Sequence, residues 1–243
     1  MTLQSAILIH AVIVVDEGDL LRVITQPDHA RFAAELLSLW RTDGLPDHPR
    51  REQLLLAVRE HDNGWREADA APRVDPAARR PFDFTRYPRS DRLEIWQRGI
   101  WRFADQQPYS ALLIAEHAEA IHQPLSRDWK SFFERFEPLR QDWLDRAASD
   151  RSEVKADYLH LETADAISLA YCTRRETPWE GKSTTAQVRG EVLHLEPFPL
   201  AGTTTFQIPV RRIPNRPYAT DSGVGSALAR ARWTRLAVKV APF

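Results

Sequence analysis

The chain is poor in several things, and each shortage removes a class of explanation. A single cysteine, Cys172, stands among 243 residues, so no internal disulfide is available and a reducing compartment fits. Set among apolar neighbours at helical spacing, that thiol reads as a packing group rather than a nucleophile. Charge of neither sign is in excess. The 33 Lys and Arg against 34 Asp and Glu give a formal net charge of −1, without the basic footprint that nucleic acid requires. Long hydrophobic runs are missing too: the apolar stretch 6–15 is too short to span a bilayer. It has no basic leader or small-residue cleavage site, and Asp16-Glu17 follows at once, so the expectation is a cytoplasmic protein whose first element is a strand. No glycine-rich phosphate loop, nucleophile elbow, internal repeat or low-complexity tract is visible.

What is present, 43% hydrophobic and 28% charged residues, suits one globular domain with an ample core. Residues 6–15 and 20–24, separated by Asp16-Glu17-Gly18-Asp19, read as a hairpin. Thr25 then supplies a helix cap, Pro27 a first-turn proline and Asp28 a charge suited to the positive end of a helix. Phe32, Ala33, Leu36, Leu37 and Trp40 continue at helical spacing. Further helices are expected over 51–61, 91–103, 109–122, 127–148 and 158–172, with Pro138 kinking or splitting the run 127–148. The proline-bearing segment 70–89 lacks periodicity and reads as an ordered loop over a site. Beyond Trp179, the stretches 186–195, 203–210 and 236–240 are β-like, a small antiparallel element that the N-terminal hairpin can join. Arg211, Arg212 and Arg216 form a local basic patch there, either a solvated sheet edge or a phosphate contact. The fold expected is mainly α: one domain over 1–243, with a helical core at 25–175 and a β-rich appendage at 179–243.

The chemistry gathers around Glu60-His61-Asp62-Asn63-Gly64-Trp65, where Asn-Gly stops the second helix. A histidine beside an aspartate at the end of a buried helix can point an imidazole nitrogen and a carboxylate oxygen at one ion. Two ligands are too few for tight binding, so further donors matter. His29 lies on or beside the buried face of the first helix, as a satisfied core residue or as a ligand. His117 shares a stripe with Leu113 and Ala120 and has Glu116 directly before it, while His122 and the loop residue His48 are expected at the surface. Asp165, enclosed by Ala164, Ala166, Ile167 and Leu169, is a costly buried carboxylate unless it caps backbone or faces a partner or a metal. The imidazoles of His29 and His61 with the carboxylates of Asp62 and Asp165 suit Mn, Fe, Zn or Co, and the lack of thiolates argues against structural zinc.

That order, a first histidine, a His-Asp doublet and a distant aspartate, resembles the HD-domain superfamily of metal-dependent phosphohydrolases. The resemblance implies a helical fold in which His29, His61, Asp62 and Asp165 enclose one or two divalent ions. In that superfamily additional histidines bind a second metal, and by this likeness His117 is the candidate, with Glu116 and His122 poorer ones. The phrases Ile24-Thr25-Gln26-Pro27-Asp28-His29 and His61-Asp62-Asn63-Gly64-Trp65, with the helix bearing His117, are still more similar to a bacterial family catalogued as domain of unknown function 3891. That likeness implies an HD-like helical core and brings no established substrate.

The function expected is hydrolysis of a small phosphorylated or nucleotide-like substrate by metal-activated water. Asp62 would orient or deprotonate the water, and Arg66 would contact the anionic substrate. The alternatives are a mixed-valence di-iron oxygenase, which needs two irons, and a non-catalytic HD-like binding protein. The partner expected is a small anionic molecule, with neither nucleic acid nor membrane.

Overall fold

The N-terminal hairpin forms where turn chemistry places it. In the computed structural model, which describes residues 12–243, β1 (Ile13–Asp16) pairs antiparallel with β2 (Leu20–Ile24) across a turn in which Gly18 takes a φ of 81°. Residues 6–11 of the expected strand lie outside the described residues. Helix α1 (Gln26–Ser38) starts at Thr25, whose side chain accepts the Asp28 amide, with Pro27 in the first turn. Helix α2 (Arg51–Glu60) ends at the His-Asp doublet, and a 3-10 turn over Asn63–Trp65 leads into the short α3 (Arg66–Ala70).

The segment expected as a loop over 70–89 is ordered by its own pairing: β3 (Val74–Asp75) and β4 (Arg80–Pro81) form a small hairpin. Phe82 and Phe84 then bond through their backbones to Val12, tying this segment to the start of the described chain. Helices α4 (Arg89–Trp101), α5 (Pro108–Ile121), α6 (Arg127–Arg146) and α7 (Arg151–Cys172) complete the helical part.

Helix α6 is not split at Pro138 but continues through it as one helix. Pro138 and Glu134, whose carbonyl loses its partner to the proline ring, both lie on the exposed side, where water can satisfy that carbonyl. The buried side carries Trp129, Phe132, Phe133, Phe136 and Trp143, while Leu139 of the expected stripe is exposed. Helix α7 begins seven residues before the expected 158, because Asp150 accepts the amides of Ser152 and Glu153 as an N-cap.

The β region is larger than a small antiparallel appendage. Strands β5 (Trp179–Glu180), β6 (Thr185–Arg189), β7 (Val192–Glu196), β8 (Thr204–Pro214) and β9 (Thr234–Pro242) join the hairpin. Among the described residues they form a seven-stranded sheet in the order β1-β2-β8-β9-β7-β6-β5. It is mixed, because β7 pairs parallel with β9 while its other neighbours pair antiparallel. Between β8 and β9 lies α8 (Asp221–Arg230), a helix hidden in the sequence by Gly223 and Gly225 but capped by Thr220.

Strand β2 is buried on both faces, as its period of two requires of a strand between two layers. Leu21 and Val23 face Ile213, Val224 and Leu228, under α8. Ile24 faces the main core, which runs without a break from the helices onto the sheet. Phe32 of α1 joins the two, with its ring 5.5 Å from Phe206 of β8 and 6.3 Å from Tyr171 of α7. Among the described residues no helix is long and apolar enough to cross a membrane.

Candidate metal centre

The His-Asp doublet is held by the turn that follows it. Asn63 donates its side-chain amide to the carbonyls of Glu60 at 2.7 Å and Gly99 at 2.9 Å, closing the end of α2 against α4. Gly64 sits so close to α4 that a Cβ there would lie 2.1 Å from the Ile95 carbonyl oxygen, and Arg98 donates to the Gly64 carbonyl at 2.9 Å. The glycine is therefore required by close approach. Gly64→Ala should lower stability by about 1–3 kcal/mol, the usual penalty for overpacking; a denaturation midpoint equal to that of the parent protein would show that α4 yields freely.

Three elements bring the four donors together. His29 from α1, His61 at the end of α2, Asp62 beside it and Asp165 from the middle of α7 are all buried. His29 Nε2 lies 2.7 Å from Asp62 Oδ2 and 3.8 Å from Asp165 Oδ1. His61 Nε2 lies 3.2 Å from Asp165 Oδ1 and 3.5 Å from Asp62 Oδ2. One ligand atom each from His29, His61 and Asp165 falls within 4.8 Å of the other two, so the cluster is able to coordinate a metal ion.

Hydrogen bonds on the far side of each ring fix what the rings present inward. His61 Nδ1 donates to the Val58 carbonyl at 2.7 Å, which leaves Nε2 as a lone pair, buried and without a hydrogen-bond partner among the described residues. Ser168 donates to the His29 carbonyl at 3.2 Å, so its oxygen accepts from His29 Nδ1 at 2.6 Å. His29 Nε2 is then also a lone pair, turned toward a carboxylate. Four acceptors thus converge, and only a positive charge reconciles them: a proton or a cation. The donor set fits a divalent ion on this ground.

Electrostatics agrees. Burial alone would push the His61 imidazolium down, yet Asp62 and Asp165 override it and raise its pKa to about 9. Both carboxylates are held below their ordinary range, because the histidines outweigh the cost of burial. His117 is the opposite case. Its Nε2 is 3.9 Å from Asp165 Oδ2 and its ring centroid 5.0 Å from that of His61, but burial dominates and lowers its pKa to about 4.

Replacing Ser168 by alanine should free the His29 ring and lower metal affinity by about 10–100-fold, the scale for losing a partner behind a ligand. Calorimetric titration checks this, and an unchanged affinity would show that the ring is fixed by packing instead.

Above the cluster opens a cavity of about 370 Å³. Asp62, His117 and Asp165 form its polar floor, and Trp65, Phe84, Trp96, Ile121 and Leu169 its apolar walls. Part of the segment 70–89 therefore flanks the site, through Phe84 and Thr85. Three expectations fail here. Arg66 is exposed, pairs with Glu60 and does not line this cavity, because the 3-10 turn directs it toward Pro27, Arg31 and Arg59. His122 is not a solvated surface residue: its ring stacks on Trp129 at 3.8 Å and lines the cavity. Nor is His48 free in solvent, since its Nε2 meets Asp157 of α7 at 3.0 Å. Glu116 lies away from the cluster, against Arg140, Arg151 and Lys155.

Sequence reasoning missed Ser168 and Asp69. Ser168 stands three residues after Asp165 on one helical face, a spacing that offered the signal. Asp69 is a buried carboxyl that accepts the Gln26 amide at 2.7 Å and whose pKa burial pushes well up, with Asp62 and Asp28 adding to the effect. Cys172 is fully buried, and burial pushes its thiol up to about 12, in keeping with a packing role. Arg211 and Arg212 of the basic patch are spoken for, the first over the Trp233 ring at 4.4 Å and the second paired with Glu17 at 2.7 Å.

No curated protein and no solved structure matches the chain. A family described as Protein of unknown function (DUF3891) matches residues 12–215, which span the hairpin, every element that contributes to the cluster, and strand β8. The chain belongs to the DUF3891 family.

Proposed function

We propose that the chain is a metal-dependent phosphohydrolase with an HD-like helical core at 25–175, acting on a small phosphorylated or nucleotide-like anion. One observation carries this reading: buried lone pairs of His29 and His61 turn toward the carboxylates of Asp62 and Asp165 at the floor of a cavity sized for a small molecule. His29, His61, Asp62 and Asp165 would hold a divalent ion such as Mn, Fe, Zn or Co, with His117 at its edge. Such an ion, when bound, polarises a phosphoryl oxygen and lowers the pKa of water to roughly 7.

The chain's own residues do the rest. Ser168 and the Val58 carbonyl fix the two imidazoles, so little reorganisation is needed as charge builds up on the phosphoryl group. Asp62, kept ionised and lining the cavity, takes the proton from the attacking water. Trp65, Phe84 and Trp96 keep bulk solvent off the reacting group.

The test is metal analysis of protein purified without chelator, together with release of nitrophenol from p-nitrophenyl phosphate. One or two divalent ions per chain and EDTA-sensitive turnover support the reading; no bound metal and no turnover with any added ion would end it. The closeness of His117 to Asp165 and His61 gives a second reading, a di-iron oxygenase, one specific point in favour. Two irons per chain, without phosphatase activity, would select it.

A further inference from the structure

A polar side chain that the proposed chemistry leaves unused lies at the start of α1. Gln26 lines the cavity over the metal cluster, yet it is only 1% exposed. Its backbone is held in place. The amide donates to Asp69 Oδ2 of α3 at 2.7 Å, Thr25 before it caps the helix, and Pro27 follows in the first turn. Its carboxamide is not held. Oε1 is buried without a hydrogen-bond partner, and among the described residues the side chain makes no hydrogen bond.

Burying an unpaired carboxamide is destabilising, and an apolar side chain of similar size would avoid the penalty. Native proteins keep few such groups, and those they keep concentrate at functional sites, where a ligand supplies the missing partner. The position of Gln26 suits that role. It stands three residues before His29, so the two share a face of α1 one turn apart, with their Cβ atoms about 5–6 Å from each other. The carboxamide is therefore within reach of a group a few bonds beyond an anion held at the His29–His61–Asp165 cluster. It carries no charge and offers both donors and an acceptor, so its natural partner is a neutral group that does the same, of which a hydroxyl is the smallest. The walls beyond, formed by Trp65, Phe84, Trp96, Ile121 and Leu169, accommodate an apolar remainder.

We infer that Gln26 is a specificity-determining residue whose carboxamide hydrogen-bonds a hydroxyl of the ligand, close to the anionic group that the metal cluster holds. The substrate class this defines is a hydroxylated phosphoryl compound, such as a polyol phosphate, in preference to a plain alkyl or aryl phosphate. The inference rests on the hydrolase reading only for the identity of the anion.

The experiment compares two phosphonates of equal size, propylphosphonate and 2-hydroxyethylphosphonate, by calorimetry on the protein loaded with Mn. Their C–P bonds resist hydrolysis, and they differ only in a methyl group replaced by a hydroxyl. The hydroxyl is expected to tighten binding by about tenfold, because a methyl group there leaves the carboxamide buried and unpaired. In Gln26→Leu the ratio between the probes should fall below about twofold. The same variant, denatured by heat in EDTA, should have a midpoint equal to that of the parent protein or above it, since an unpaired polar group is gone. Gln26→Met, whose unbranched chain adapts to irregular space, repeats both measurements in case leucine packs poorly.

Equal affinities for the two probes, or binding of neither, would overturn the inference. So would a preference that survives both substitutions, which would assign the hydroxyl to the metal, and a midpoint lowered in both, which would make the carboxamide part of the fold rather than of the site. Preference for the hydroxylated probe without turnover of any phosphate ester would refute the hydrolase and leave the role of Gln26 standing. Turnover without that preference would do the reverse.

Discussion

His61→Ala is expected to abolish metal binding and, with it, any release of phosphate. The imidazole lies between Asp62 and Asp165, at 3.5 and 3.2 Å, so its loss removes one donor and leaves two buried carboxylates facing each other. Losing even a group behind a ligand costs about 10–100-fold in affinity, and losing the ligand itself should exceed that range. Asp165→Asn is the companion variant: it keeps the volume of the side chain and removes the charge. Both should lose bound metal when dialysed alongside the parent protein, with turnover of p-nitrophenyl phosphate falling in parallel. If His61→Ala kept a full complement of metal, the ion would have to sit elsewhere. Because the site is buried, each variant should also be checked for folding by circular dichroism.

Metal affinity should climb about tenfold per pH unit up to about pH 9, then level off. The reason is the proton on His61. In the metal-free protein Asp62 and Asp165 overcome the cost of burial and hold it with a pKa of about 9. A metal ligand must be deprotonated, so below that pH one proton leaves for each ion bound. From pH 7 to 9 the gain is about 100-fold. Calorimetry in buffers of different ionisation enthalpy counts the proton directly, and none released at pH 7 would contradict the assignment.

The same group shapes the stability of the metal-free chain. Its folded pKa lies above the ordinary 6.5, so its stabilising contribution is complete below 6.5 and is lost as pH rises through about 9. Asp165 works in the other direction. Its carboxyl is depressed from 3.8, so its contribution is present above 3.8 and fades on acidification. Thermal midpoints measured in EDTA should accordingly fall between pH 6.5 and 9.

Much of the site was legible because its signals are local. Thr25, Pro27 and Asp28 announce α1, and His29 follows one residue later. Asn63 and Gly64 end α2 directly after the doublet, and a carboxylate among Ala164, Ala166, Ile167 and Leu169 is anomalous by itself. What failed depends on partners remote in sequence or on local geometry that residue type does not reveal. His48 is claimed by Asp157, more than a hundred residues on, and no local pattern announces that pairing. Arg66 follows Trp65 directly, yet one 3-10 turn directs it away from the cavity that Trp65 lines. The sheet was underestimated for the same reason: β-like runs identify strands, but they do not say that β8 extends to Pro214 to reach β2.

That last pairing bears on how the protein is made. Leu21 lies opposite Ile213 in the sheet, about 190 positions further along the chain. At a synthesis rate of ~5–20 residues per second, a nascent β2 waits roughly 10–40 s before its neighbour leaves the ribosome. During that interval the β1–β2 hairpin lacks β8 along one edge and α8 over Leu21 and Val23, and an unpaired strand edge invites mispairing with other chains. Production in a heterologous host should therefore respond more to growth temperature and to chaperones that shield nascent chains than to codon choice within the helical middle.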